Sequence, residues 1–403
     1  MNMIYFLEMK VCFETFGCRL NKAEALQMEA DYLADGWEVT AKHSEANLFV
    51  IRGCSVTARA QYECEKLIAH LKRHYPAAGI KICGCLKSGE ADSRPLRKKE
   101  ESPSSRSGQE TASPLPLRTA RAYLKVQDGC AGKCTFCIVP KFRGESRSES
   151  FTNLLDHAKR FIDAGYHEIV VTGCNLALYA SEGKRLPDLV SALAGLDAGC
   201  RIRLGSLEPG ACAQDTIHAM AESPNVCRFL HLPVQSGSNK ILLAMRRPYI
   251  VKDVEVTANL ASKLMPDLGL GCDLMTGFPG ESELDFAATR GLLKRLPFVH
   301  AHVFPFSERP GTLAVGFPCP LAKDIRSARA RLLADDMRSK RRKFAKTFIG
   351  KTVEIVVEDA KTGRGWTGEY LPCEPLSGSF VRKSIARVFV TKTRDDLLLG
   401  NLR

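Results

Sequence analysis

At 403 residues with 45% apolar content, the chain is long enough for two or three separate cores. A formal charge of +13 points to a polyanionic partner, nucleic acid first, against the plainer alternative of a solvated basic surface. No run approaches the roughly 18 apolar residues that span a bilayer. The opening ten residues lack the basic region and cleavage site of a signal peptide. A cytoplasmic protein with no membrane partner is therefore expected.

Between residues 11 and 85 short β-rich runs alternate with amphipathic helical stretches. VCFETFG (11–17), LFVIRG (48–53) and IKICG (80–84) read as buried parallel strands. A capped helix is expected from Asn21 to a stop at Gly36, and another from Ser55 to about His74, ahead of Pro76. Residues 9–86 thus form a small α/β sheet domain. The stretch 87–119, rich in Ser, Pro and charge, reads as a polar linker.

From 120 to 346 the alternation resumes at larger scale. Strands are expected at 122–127, 168–172, 201–205, 228–232, 269–275 and 299–304, with helices between them, including 152–164 and 282–295. Such βα repeats predict a partial parallel (β/α)6 barrel, with an open doubly wound sheet as the alternative. A basic helix over 321–347 carries Arg338, Lys340, Arg341, Arg342 and Lys343. Residues 347–403 follow as a small antiparallel β domain: TVEIVVEDA, a Gly-rich turn at 363–368, and ARVFVTKT. The fold class is α/β, closed by this small β-barrel.

Sixteen cysteines in a reducing compartment indicate metal ligation where they cluster and small core residues where they do not. Cys130, Cys134 and Cys137 stand in DGCAGKCTFCIVPKFRG, directly after an expected strand. Three thiolates in one loop can ligate three irons of a 4Fe–4S cube and leave the fourth open. Zinc is the competing metal, although it usually recruits a fourth Cys or His. Cys18, Cys54 and Cys85 each follow an expected strand, so parallel packing would carry them to one sheet edge. Cys12, Cys64 and Cys83 fall inside elements and read as core.

The loop resembles the radical S-adenosylmethionine (SAM) signature CxxxCxxC, with Phe136 before the last cysteine, and its continuation resembles the methylthiotransferase family. FETFGCRLNKAEA, VIRGCSVT and CGCLKS are similar to that family's N-terminal cysteine motifs. VVTGCN, LGSLEP, HLPVQSGSNKILLAMRRPY, LMTGFPGESELDF and HVFPFSERPGT look like its barrel blocks. The resemblance implies two 4Fe–4S clusters, the second held by Cys18, Cys54 and Cys85 to supply or carry sulfur. It also implies SAM on the open iron, tRNA as partner, and an electron donor such as flavodoxin or ferredoxin.

Phe136, Glu208, Gln235 and Asp273 are the expected cofactor contacts. Gln235, with Ser236 and Ser238, reads alternatively as loop and cap structure, and Glu208 and Asp273 as rim carboxylates paired to an arginine. Glu281 is expected in the first turn of a helix. The C-terminal domain resembles the TRAM RNA-binding module, with Phe380 and Phe389 expected in its core.

Arg19 and Asn21 favour the threonylcarbamoyladenosine subgroup, whose reaction is C2 methylthiolation at tRNA position 37. The alternatives are isopentenyladenosine in tRNA, a ribosomal-protein aspartate, or a non-catalytic iron–sulfur or zinc RNA-binding protein. Two departures stand out: Arg52–Gly53 where the family usually has Asn–Thr, and the linker where its N-terminal domain usually continues. Family members begin near MKV, which makes Met9 the expected start.

Overall fold

The computed structural model describes residues 9–54, 58–86 and 119–403, in two compact units divided after residue 118. The expected linker, but for Thr119, lies outside the described residues, as does Ser55.

The first unit is a parallel sheet in the order β2-β1-β3-β4, formed by β1 (Lys10–Thr15), β2 (Glu38–Val39), β3 (Leu48–Gly53) and β4 (Gly79–Gly84). The β-branched and aromatic run of β3 is buried along its whole length, as a central strand covered on both faces must be. Helix α1 (Arg19–Ala34) covers one face, where Val11, Phe13 and Val50 meet Met28 and Tyr32. Helix α2 (Ala58–His74) covers the other, where Cys12, Phe49 and Ile51 meet Cys64 and Leu71. Cys12 and Cys64 are core residues as expected, whereas Cys83 is half-buried against the Arg52 guanidinium. From β1 the chain crosses to β2, and from β3 it crosses the opposite way to β4. That reversal opens a crevice at the carboxyl edge between β1 and β3.

The second unit holds six parallel strands in a curved sheet: β5 (Ala122–Asp128), β7 (Glu168–Gly173), β10 (Arg201–Leu204), β11 (Phe229–Gln235), β12 (Gly269–Thr276) and β13 (Phe298–Pro305). The short strand β6 (Arg147–Ser148) lies antiparallel to β5, and a hairpin pairs β8 (Ala180–Ser181) with β9 (Lys184–Arg185). The bridge between Ser206 and His231 joins the two halves of the sheet, which is therefore the expected partial barrel. Alternate residues such as Leu124, Val171, Ile202, Leu232 and Leu274 point outward into one apolar core. They meet helices α4 (Phe151–Asp163), α5 (Leu186–Ala194), α6 (Ala211–Glu222), α8 (Val251–Leu264) and α9 (Glu283–Arg295) there. Short helices α3 (Val139–Arg143) and α7 (Asn239–Ala244) lie in loops after β5 and β11.

Helix α10 (Lys323–Lys346) leads to a closed barrel of β14 (Thr352–Val357), β15 (Gly365–Thr367), β16 (Pro372–Pro375), β18 (Leu397–Leu402) and β17 (Ile385–Arg394). The segment read as a Gly-rich turn carries β15. A Cβ at Gly365 would stand 2.1 Å from the Val356 carbonyl oxygen, so glycine there serves close strand approach. Phe380 and Phe389 are half-exposed rather than core. Arg403 stacks on Phe389, because the small barrel is filled by Val353, Ile355, Leu371, Val388 and Leu398 instead.

The inward face at the amino ends of β7 and β10 is charged. Arg203, fully buried, donates to Glu168 at 2.6 Å, and Arg201 donates to the same carboxylate at 3.1 Å. Both also donate to the C-terminal barrel: Arg203 to the Thr367 carbonyl at 2.8 Å, and Arg201 to those of Glu354 and Trp366 at 2.9 and 3.0 Å. Arg121 lies 3.7 Å from Glu168 and 2.7 Å from Glu358.

Candidate metal centre and barrel mouth

The CxxxCxxC loop leaves β5 through Gly129, whose left-handed φ of +67° lets Cys130 turn back and donate to the Gly144 carbonyl at 3.0 Å. Thr135 clamps the far side. Its N–H and hydroxyl donate to the Met245 and Ala244 carbonyls at 3.1 and 3.0 Å, and its carbonyl accepts from Ala314. Phe136 packs among Ile241, Met245, Phe278 and Phe306, so this aromatic fixes the loop to the barrel. The thiols gather around Gly132, where a Cβ would stand 3.1 Å from Cys130 Sγ and 3.9 Å from Cys134 Sγ. Burial pushes the Cys137 thiol up to about 11 and raises that of Cys130, with neighbouring thiols adding to the shift. Thiolates form here only with a cation to face them.

One cation is already in place. Arg247 donates to Cys134 Sγ at 3.0 Å and to Tyr249 Oη at 2.8 Å, and its guanidinium also pairs with Glu208. Glu208 accepts from Asn175 Nδ2 at 2.7 Å, and the Asn175 backbone donates to the Gln127 side chain at 2.8 Å. Gln127 in turn donates to the Gly129 carbonyl at 2.7 Å, which returns the network to the cysteine loop. Glu208 is a carboxylate at the barrel rim paired to an arginine. A cradle cut by a glycine, three sulfur donors and a buried guanidinium fit an iron–sulfur cluster.

The other expected contacts divide. Gln235 ends β11 at a left-handed φ of 63°, which costs a side-chain-bearing residue about 1 kcal/mol. Its side chain is half-buried with no hydrogen-bond partner among the described residues. Ser236 and Ser238 are buried and tied to α9: Ser238 donates to Asp285 at 2.7 Å, and Ser236 lies 3.4 Å from the Thr289 hydroxyl. They brace the loop after β11 against α9. Asp273 pairs with histidines, not an arginine: its Oδ1 lies 3.0 Å from His231 and 3.2 Å from His302. Glu281 precedes α9, whose cap is Ser282. It accepts from the Gly277 N–H at 2.8 Å and pairs with Arg329. A capping box formed by Ser282 and Asp285 starts the helix later than expected.

In the first unit Cys18 ends the loop after β1, and Cys54 and Cys85 directly follow β3 and β4, at the edge where the crossovers reverse. Asn21, completely buried, donates to the Phe16 carbonyl at 2.8 Å and the Gly53 carbonyl at 3.1 Å. Gly53 O also accepts from Cys85 N at 3.1 Å. Gly17 has φ +85°, and a Cβ there would stand 2.5 Å from Cys54 Cβ, so the first and second loops touch backbone to side chain. Cys54 and Cys85 are buried and Cys18 is exposed. Asn21 is thus a structural brace.

Sequence reasoning missed Arg247, His231, His300 and His302, and placed Arg341 only among the charges of a basic helix. The alternation of His300 and His302 within an expected strand was the available signal for those two.

Residues 124–293 match the Radical SAM superfamily model, and residues 10–103 match the Uncharacterized protein family UPF0004. The threonylcarbamoyladenosine tRNA methylthiotransferase MtaB of Aquifex aeolicus is 30% identical over 87% of this chain and 93% of its own. The chain belongs to the radical SAM tRNA methylthiotransferase family. It is an enzyme of that type, and the family implies a 4Fe–4S cluster and SAM. A tRNA-2-methylthio-N(6)-dimethylallyladenosine synthase of Vibrio vulnificus is 27% identical over 96% of the chain and 92% of that protein. The radical SAM methyltransferase TsrM of Kitasatospora setae, solved with cobalamin and a 4Fe–4S cluster, shares the fold. Its TM-score is 0.54 at 13% identity, over 77% of this chain and 74% of that one. Among the described residues no helix is long and apolar enough to cross a membrane.

Proposed function

We propose that the enzyme methylthiolates C2 of N6-threonylcarbamoyladenosine at tRNA position 37, with one SAM giving the methyl group and a second the radical. The observation that carries this reading is the pairing of two cysteine triads, each gathered at the carboxyl edge of a parallel sheet. Cys130, Cys134 and Cys137 would hold one cluster, and Cys18, Cys54 and Cys85 a second. When bound, the first would supply the electron that splits SAM, and the second would supply or carry the inserted sulfur.

The chain's own residues do the rest. Arg247 donates to Cys134 and offsets its charge, and Glu208 fixes Arg247. Phe136 holds the loop on the barrel, and Gln235 offers an unengaged amide at the mouth. Ser379, Phe380, Ser384, Arg387 and Arg403 line a groove on the C-terminal barrel suited to RNA phosphates and bases. Arg19 and the Aquifex relative support the threonylcarbamoyl substrate, and the Vibrio relative supports the dimethylallyl one.

The test is anaerobic purification with iron and sulfide counts, then incubation with SAM, dithionite and tRNA carrying threonylcarbamoyladenosine. About eight irons, with 5′-deoxyadenosine and the 2-methylthio form of that nucleoside, is the expected result. Product only on isopentenyladenosine tRNA overturns the substrate assignment. Zinc in place of iron, with no SAM cleavage, overturns the mechanism.

A further inference from the structure

Midway along the inward face of the curved sheet, three strands bring polar side chains together. Asp273 on β12 pairs in register with His302 on β13, and Gly271 pairs with His300 one layer below. His231 reaches across from β11: a Cβ at Gly271 would stand 2.6 Å from its Nδ1, so the glycine lets the ring lie over β12. His231 Nε2 is 3.0 Å from Asp273 Oδ1, a close polar contact with no aligned hydrogen bond. His302 Nδ1 is 3.2 Å from the same oxygen. Behind them, His302 Nε2 lies 3.1 Å from His300 Nε2, and His300 Nδ1 lies 3.0 Å from an Arg341 N–H.

Arginine only donates, and this fixes every proton in the chain. His300 Nδ1 accepts from Arg341, so a neutral His300 carries its proton on Nε2 and donates to His302 Nε2. His302 then carries its proton on Nδ1 and donates to Asp273 Oδ1. Burial, with Arg341 beside it, drives the His300 imidazole far below its ordinary range, which keeps it neutral. Burial alone would raise Asp273, but His231 and His302 hold it well below the usual carboxylate range. Two histidines and a carboxylate are also a donor set for a divalent metal. With its proton on Nδ1, as the hydrogen-bonded chain from Arg341 requires, His302 offers Asp273 a donor in place of a lone pair for an ion.

Asp273 is left with an ionised carboxylate whose Oδ1 is engaged and whose Oδ2 receives no donor among the described residues. The Arg341–His300–His302–Asp273 chain shares no residue with the Arg247–Glu208–Asn175 network behind the cysteine loop. We infer that Asp273 is a specificity residue that accepts an N–H of the target nucleobase inside the barrel, with Arg341, His300 and His302 as positioning residues. This rests on the reading that a tRNA base enters the barrel. SAM is the other source of an N–H donor.

Asp273→Asn is the decisive variant. Its amide oxygen keeps the acceptor for His302 and the polar contact with His231, while its NH2 turns the lumen-facing acceptor into a donor. Wild type and variant are compared for methylthio-nucleoside formation, SAM affinity by equilibrium dialysis, SAM cleavage without tRNA, and iron and zinc content. The expected result is a fall in kcat/KM for tRNA on the order of 10- to 100-fold, with SAM affinity, uncoupled cleavage and metals unchanged. His302→Asn, which retains a donor near the Nδ1 position, should stay within about threefold of wild type, and His302→Leu should lose more.

Weakened SAM binding in Asp273→Asn overturns the inference in favour of a cofactor contact. Stoichiometric zinc in wild type that the variant loses overturns it in favour of a metal site. Undiminished turnover in the variant overturns the inference alone, and a wild type that makes no methylthio-nucleoside overturns the functional reading as well.

Discussion

Arg247 and Asn21 hold the two cysteine sites in different ways, and neither role could be read from residue type. Arg247 directs an N–H at Cys134 Sγ at 3.0 Å. A donor on a ligand sulfur favours the reduced, more negative cluster. Arg247→Gln should therefore move that cluster's midpoint to a more negative potential, read by redox titration with EPR. An unmoved midpoint would limit Arg247 to holding Glu208. Asn21 supplies both amide protons to carbonyls of the loops carrying Cys18 and Cys54. Asn21→Ala takes this donor from the Phe16 carbonyl and leaves the Gly53 carbonyl with the Cys85 N–H, at a cost of about 1–3 kcal/mol. A lower urea midpoint and loss of iron from the N-terminal site, with the Cys130–Cys137 site still loaded, is the expected outcome. The cysteines themselves were legible because three thiols in eight residues leave few other uses. Arg247 was not, because 110 residues separate it from that loop and only the barrel brings it back.

At the scale of elements, the loops after strands carry the chemistry, and their glycines set its geometry. Gly132→Ala would place a methyl 3.1 Å from Cys130 Sγ, inside the cradle of the CxxxCxxC loop. The fold should survive, since Gly132 lies on a half-exposed loop outside the regular elements. Iron bound at that site should fall, shown as fewer irons per chain with an unchanged circular dichroism spectrum; full iron content would show that the loop can yield. The six barrel strands were legible within a few residues because each is an apolar run whose outward positions enter one core. Strand β15 was not. Glycine normally reads as a turn, and only a neighbouring strand's close approach reveals one chosen for pairing.

For the second unit as a whole, the buried charges under the sheet decide how the central and C-terminal barrels hold together. Glu168 is enclosed by Arg201, Arg203 and Arg121; Arg201 and Arg203 also grip carbonyls of β14, β15 and the following turn, and Arg121 pairs with Glu358. Glu168→Gln strands guanidinium charge in the interior and should cost about 3–5 kcal/mol, measured by denaturant unfolding. A loss under 1 kcal/mol would mean the carbonyls alone suffice. Burial alone would raise Glu168, but Arg203 and Arg201 hold its carboxyl well below the usual range. Its folded value is depressed, so its stabilisation is fully present above about pH 4.3, the unfolded value. It should be lost as pH falls below that toward the folded value. The Glu168→Gln variant should accordingly lose less stability than wild type between about pH 5 and 3.

The sequence by itself determined the alternation of strands and helices, the two sets of cysteines and the family they belong to. Each of these is written in local spacing, which periodicity and short motifs report directly. The tertiary structure alone decided which distant side chains meet. It put Arg247 on Cys134, Asn21 under two cysteine loops, three arginines around Glu168, and a hydrogen-bonded chain from Arg341 to Asp273. A buried polar group takes its partner from whatever the closed sheet sets beside it, and curvature and register fix that, not distance along the chain.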